Sequence, residues 1–151
     1  MTTHIIRFLT LLMAGLVAGT LFGIWIGYNP KNLSVNTYVE YQQGAIKALN
    51  TLMPILGLIS VILTVIAAIL QKQDQFVFVI LIIASGFLII SGLITKFGNQ
   101  PINSIVMTWS KNSIPTNWTE LRDKWWLLHK LRTLTTFISF CLIIWSNIRR
   151  N

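Results

Sequence analysis

The sequence predicts an all-α membrane protein, a four-transmembrane-helix bundle with two longer connections on the same side. Three observations carry this reading. Hydrophobic residues fill 54% of the 151 positions. Charged residues make up 11%, against roughly 25% in soluble domains. The apolar residues gather into four runs of about 20, the length a helix needs to cross the hydrocarbon core. Mean hydropathy is positive, and the length allows a single domain over residues 1–151.

The first span is expected at about residues 5–28. It is longer than a secretory h-region, and no small-x-small cleavage site follows it, so it reads as retained. Gly15, Gly19, Gly23 and Gly27 recur every fourth residue along it. Apolar burial gives helices little reason to associate in lipid, so close backbone approach matters. The glycine ridge is therefore expected to seat another helix of the bundle, and its rival use is a homo-oligomer seam. In the first connection, residues 29–51, Thr37 and Glu40 have capping-box spacing and predict a helix start. Glu40, Gln43, Lys47 and Asn50 then share one face, from which Glu40 can pair with Arg122 or Arg132. The second span, residues 52–70, carries a small-residue stripe of Gly57, Ser60, Thr64 and Ala67.

The link Gln71-Lys72-Gln73-Asp74-Gln75 is so short that the third span, residues 76–95, must run antiparallel to the second. The third connection, residues 96–130, contains Asn99-Gln100-Pro101-Ile102-Asn103 and a turn at Ile114-Pro115. Asn117 and Glu120 then suit a helix cap and its reciprocal partner. The helix they open is expected to continue unbroken into the fourth span, residues 131–148.

The net charge is +8, from 12 basic and 4 acidic residues. The basic residues flank apolar runs, which suits anionic lipid headgroups and argues against a nucleic acid partner. Four spans put both termini on one side and the long connections on the other. Arg7, Lys72, Arg149 and Arg150 mark the terminal side. Lys31, Lys47, Lys96, Lys111, Arg122, Lys124, Lys130 and Arg132 mark the opposite one. The raw count favours long connections in the cytoplasm. With Arg122, Lys124, Lys130 and Arg132 assigned to a site the count ties, and the terminal charges, tight against the span ends, place the termini in the cytoplasm.

Cys141 is the one cysteine; it permits no internal disulfide and no cysteine metal site, and reads as a small packing residue. His4 and His129 are expected at opposite membrane faces, about 30 Å apart. They cannot share a metal, and the few acids form no ligand cluster, so no metal site is expected.

Trp118, Arg122, Trp125, His129, Arg132 and Thr136 are spaced four, three, four, three and four, which puts them on one helical face. Two readings stay open. Tryptophan and arginine at an interface can be an anchor belt. Alternatively the face turns inward and Arg132 and His129 line a cavity, as polar residues at membrane depth commonly do.

The order Asn99-x-Pro101-x-Asn103, then Pro115, Trp118, Arg122, Trp125, His129 and Arg132, resembles the signature of the anthrone-oxygenase-like family. These are small four-helix integral membrane proteins, most of them classed as a domain of unknown function. The glycine-rich first span and Gln43 fit the same pattern, and the resemblance covers nearly the whole chain. It implies an oxidoreductase that turns anthrones into anthraquinones with molecular oxygen and no recognised metal or flavin. For such chemistry Trp118 and Trp125 can stack on a flat aromatic ligand. Neutral His129 can act as general base, and Arg132 or Arg122 can hold the enolate. Asn99, Asn103 and Gln43 complete the substrate-binding set, the asparagines binding ketone oxygens or tying down the loop.

Two other classes compete. A non-catalytic assembly or partner protein would use the glycine ridge and tolerate changes at His129. A small proton-coupled exporter needs an ionisable group inside the membrane, and Glu40, Asp74, Glu120 and Asp123 all lie outside the expected spans.

Overall fold

A computed structural model describes residues 1–110 and 113–148. The sequence-derived charge markers Lys111, Arg149 and Arg150 lie outside the described residues. Among the described residues six α-helices follow in order: α1 (Thr2–Gly27), α2 (Val35–Leu49), α3 (Leu52–Leu70), α4 (Gln75–Ile94), α5 (Gln100–Val106) and α6 (Trp118–Ile148). A 3-10 turn at Pro30–Asn32 precedes α2, and a π-helical turn, Thr95–Asn99, joins α4 to α5. Among the described residues, α1, α3, α4 with its extension, and α6 are long and apolar enough to cross a membrane. The chain is an all-helical, multi-pass membrane protein.

Specific side-chain contacts fix this topology. Asp74 caps α4, its Oδ1 accepting from the Val77 N–H at 3.1 Å, and so closes the α3–α4 hairpin. Arg7 donates to the Asn147 Oδ1 at 2.7 Å and to its carbonyl at 3.0 Å. That pair ties the start of α1 to the end of α6 and puts both on one side. Near this end the interior is built of small residues: Ala14, Ala67, Ala68 and Ala84 are buried around Ile143. Small side chains let helices approach closely, and hydroxyls then reach neighbouring backbones. Ser139 donates to the Ala84 carbonyl at 2.8 Å; closer to the long connections, Ser91 donates to the Arg132 carbonyl at 3.1 Å.

Four local expectations are corrected. Gly19, Gly23 and Gly27 point away from the bundle, and a Cβ at any of them would meet nothing within 4 Å. Only Gly15 of this ridge approaches another helix, where a Cβ would stand 3.4 Å from the Phe140 ring. Burial in α1 instead follows Thr10, Ala14, Val17, Ala18 and Leu21, a stripe rotated from the glycines. In the first connection the helix starts earlier than Thr37, because Ser34 is the N-cap and accepts from the Thr37 N–H at 3.4 Å. Cys141 is exposed on the outer face of α6 and fills no interior gap.

The fourth correction shapes the site. The third span does not yield to a loop at residue 95; helix continues to Val106. Pro101 has no N–H, and its ring crowds the carbonyl four residues earlier, which breaks a regular α-helix. The preceding turn relaxes to π geometry, a common accommodation of such a fault. At this turn Gly98 meets α6: a Cβ there would stand 2.9 Å from the Leu128 Cδ1. Absence of a side chain lets the π turn lie against α6 level with His129.

Candidate functional site

α6 runs unbroken from Trp118 through Ile148, so the recurring face stays in register along its length. That face turns inward. Trp125, His129 and Thr136 are buried, and Trp118, Arg122 and Arg132 are partly covered.

His129 is fully buried and flanked by rings. Its imidazole stacks with Trp125 at 5.2 Å between centroids and 4° between planes, and with Trp126 at 5.5 Å and 8°. Both ring nitrogens are engaged. Nε2 lies 3.2 Å from the Leu21 carbonyl oxygen, which can only accept, so Nε2 carries the proton. Nδ1 accepts from Arg132 Nε at 3.2 Å and Nη2 at 3.0 Å. Arginine has no acceptor, so these partners assign a neutral imidazole with a defined tautomer.

Arg132 completes its contacts by donating from Nη1 to the Thr95 hydroxyl at 3.4 Å. Thr95 sits on the π turn, so that turn presents an oxygen to the guanidinium. Among the described residues no carboxylate pairs with Arg132. Its fork makes, among the described residues, three hydrogen bonds, all to neutral groups, which leaves two of its five N–H donors and a full positive charge uncompensated there.

Two cavities meet at this side chain. The larger, about 320 Å³, is lined mainly by aliphatic residues of α1, α3 and α4, with Ser91, Thr95, Lys96, Gln100, Arg132 and Thr136 as its polar lining. The smaller, about 110 Å³, lies toward the long connections and is lined by Tyr28, Tyr41, Gln42, Asn50, Asn103, Trp125 and Arg132 among others. Leu21, Met53, Pro54, Thr95 and Arg132 border both.

A chain of amides sets the aromatic wall. The Trp125 Nε1–H donates to Asn103 Oδ1 at 2.8 Å, and the Asn103 amide donates to Asn50 Oδ1 at 2.8 Å. Asn99 donates to the Trp125 carbonyl at 3.1 Å, with its own Oδ1 buried and unpartnered among the described residues. Tyr28 stacks on Tyr41 at 4.5 Å and donates its hydroxyl to Gln42 at 3.1 Å.

The sequence-derived site residues thus divide. Trp125, Asn103 and Arg132 line a cavity, and His129 stands directly behind Arg132. Asn99 supports the Trp125 backbone. Gln43 lies further out and donates to the Val106 and Trp109 carbonyls, both at 2.9 Å, closing the end of α5. Trp118 and Arg122 border neither cavity. They stack on each other at 4.9 Å at the outer edge, where Arg122 also pairs with Asp123 at 2.8 Å and Asp123 with Lys31 at 3.3 Å. Tyr38 packs against Trp118 at 5.7 Å, and burial pushes its phenol above the usual range. The contacts described for Arg122 and Arg132 therefore replace the expected Glu40 pairing.

Tyr28, Tyr41, Gln42, Asn50, Ser91 and Thr95 escaped the sequence reading of the site. Ser91 and Thr95 carried a usable signal, two hydroxyls four apart on a span whose one other hydroxyl is Ser85. The tyrosines carried none, since interface aromatics are common.

A family profile described as anthrone oxygenase matches residues 43–142. The chain belongs to the anthrone oxygenase family. No curated protein and no solved structure matches it. The anthrone oxygenase match takes in Asn50, Ser91, Thr95, Asn103, Trp125, His129 and Arg132. The α1 wall of the site, with Leu21 and Tyr28, lies before it.

Among the described residues no three His, Cys, Asp or Glu side chains come together as a metal-ligand set.

Proposed function

We propose that this protein is a membrane-embedded oxygenase that needs no cofactor and oxidises an enolisable aromatic ketone, with Arg132 as the oxyanion-binding group. One observation carries the reading: a guanidinium with no carboxylate paired to it among the described residues borders two cavities, the larger of them mostly aliphatic. A fixed positive charge in a water-poor site stabilises a developing enolate far better than it would in water.

Trp125 provides the flat wall for the ring. When Arg132 turns its fork to the ketone oxygen, the Nδ1 lone pair it now occupies is freed, and His129 becomes the general base. The methylene carbon gives its proton to His129, leaving the enolate against Arg132. That carbanion adds molecular oxygen and regains the proton as a hydroperoxide. Loss of water then leaves a carbonyl. In balance, one methylene group and one dioxygen molecule give one carbonyl group and one water, with four electrons passing from carbon to oxygen. Asn103 and Asn99 hold Trp125 in place, Gln43 secures the end of α5, and Trp118 with Arg122 forms the outer rim.

The test is anthrone oxidation by the protein in lipid nanodiscs, followed by quinone absorbance against empty discs. Arg132→Ala should slow turnover about 100-fold or more, and His129→Ala by a comparable factor. Full turnover in both variants would sink the assignment.

A second reading, a non-catalytic assembly partner, draws support from the outward-facing Gly19, Gly23 and Gly27. It expects His129→Ala to be silent and bulky residues on that ridge to abolish association. For orientation, we infer cytoplasmic termini from Arg7 and Lys72 at the span ends, which puts the site toward the opposite face. Labelling of cysteines introduced at Thr3 and at Ser113 from each side of sealed vesicles decides it.

A further inference from the structure

The two cavities differ in a way that specifies more than a planar ketone. The smaller one is walled by two tyrosines, a tryptophan and three amides. At about 110 Å³ it has room for a planar head but not for a long chain as well, since small-molecule pockets hold roughly 300–1,000 Å³. The larger continues from Arg132 down into the hydrocarbon level between α3 and α4. Its walls there are Val17, Leu58, Val61, Leu88, Ile89 and Leu93. Leu58, Ile89, Gly92 and Leu93 are also exposed on the outer surface, so this cavity opens sideways toward lipid. Gly57 and Gly92 stand in its wall, and a Cβ at either would meet nothing within 4 Å. A guanidinium with spare donors sits where the aromatic cavity meets the aliphatic one.

We propose that the site takes an amphiphile: a planar head with an acidic enol or phenol oxygen, bearing a long aliphatic chain. The head oxygen meets Arg132 with the ring against Trp125 and Tyr28. The chain fills the larger cavity and leaves between α3 and α4, which is also the route by which the ligand arrives from the bilayer. This rests on the reading of Arg132 as the oxyanion group but not on catalysis, because it concerns binding alone.

The probe is a series of 2-hydroxy-3-alkyl-1,4-naphthoquinones, from methyl to undecyl, whose enolate absorbs in the visible. Binding is read by spectral titration of the full chain in phosphatidylcholine nanodiscs, with partitioning into empty discs subtracted. The undecyl compound should bind at least tenfold more tightly than the methyl one. Gly57→Leu should lower that ratio at least tenfold by filling the chain cavity. Gly92→Leu repeats the test in case the first variant misfolds, with size exclusion and circular dichroism checking both. Arg132→Gln should weaken every member at least tenfold, and Arg132→Lys less.

Equal binding of short and long chains, or an undiminished ratio in both well-folded glycine variants, overturns the proposal. So does displacement of the probe by phosphatidylglycerol at equal mole fraction, since a phospholipid anion would then be the better fit. Chain-length-dependent binding by a protein that leaves anthrone unoxidised in the same discs would upset the oxygenase reading and leave this one standing.

Discussion

The two ends of the bundle are built on opposite principles. Toward the termini, Ala14, Ala67, Ala68 and Ala84 close around Ile143, and hydroxyls such as Ser139 bond straight to a neighbouring backbone. Toward the long connections the side chains are larger, with Tyr38, Trp109, Trp125 and Trp126 buried together, and two cavities remain around Arg132. Small residues let helices come together. The first is the tight end; the second is looser around Arg132, with space for chemistry.

This contrast is open to attack by substitution. The largest structural effect is expected at the tight end. Ala84→Leu has no space, because Ala84 is fully buried, and overpacking of this kind costs about 1–3 kcal/mol. Thermal unfolding in detergent should register the loss. The same kind of enlargement at the loose end, Gly57→Leu, should leave the unfolding temperature equal or higher, because the added atoms enter open space and replace a poor helix former worth about 1 kcal/mol. A large drop there would mean that the cavity closes in solution.

Asn103→Ala should come next. It strips the buried Trp125 Nε1–H of its acceptor and Asn50 of its donor, at a cost of about 1–3 kcal/mol for the unsatisfied partner. A changed tryptophan emission should accompany it, and turnover should fall because Trp125 loses its orientation. The smallest effect on the folded protomer should come from Gly19→Leu, since nothing in the bundle touches that position. Its stability should stay within about 0.5 kcal/mol of wild type. Cross-linking in lipid then separates a lipid-facing ridge from a seam between copies.

Much of the fold was legible because the bilayer imposes a length and a polarity that can be counted along the chain. The four spans, the α3–α4 hairpin and the unbroken α6 all follow from apolar runs and one very short link. The glycine ridge misled because spacing names a helical face without saying what covers it, and burial in α1 selected a different stripe. The capping box at Thr37 lost to Ser34, a competing cap three residues earlier. Pro101 reads locally as a helix breaker, yet a π turn absorbed it.

The periodic face of Trp125, His129, Arg132 and Thr136 was set by sequence alone, because they share one continuous helix and its period is invariant. What surrounds that face was decided by tertiary structure. Leu21 on α1 fixes the His129 tautomer, Thr95 on the π turn receives Arg132, and Asn50 and Asn103 orient Trp125. These partners lie between 22 and 108 residues away in the chain, so no local pattern encodes them. Sequence determined which residues stand together on α6; only the packing of α1 and α4 against it, with α3 walling the cavity between them, determined that Arg132 would face open space with no carboxylate, among the described residues, beside it.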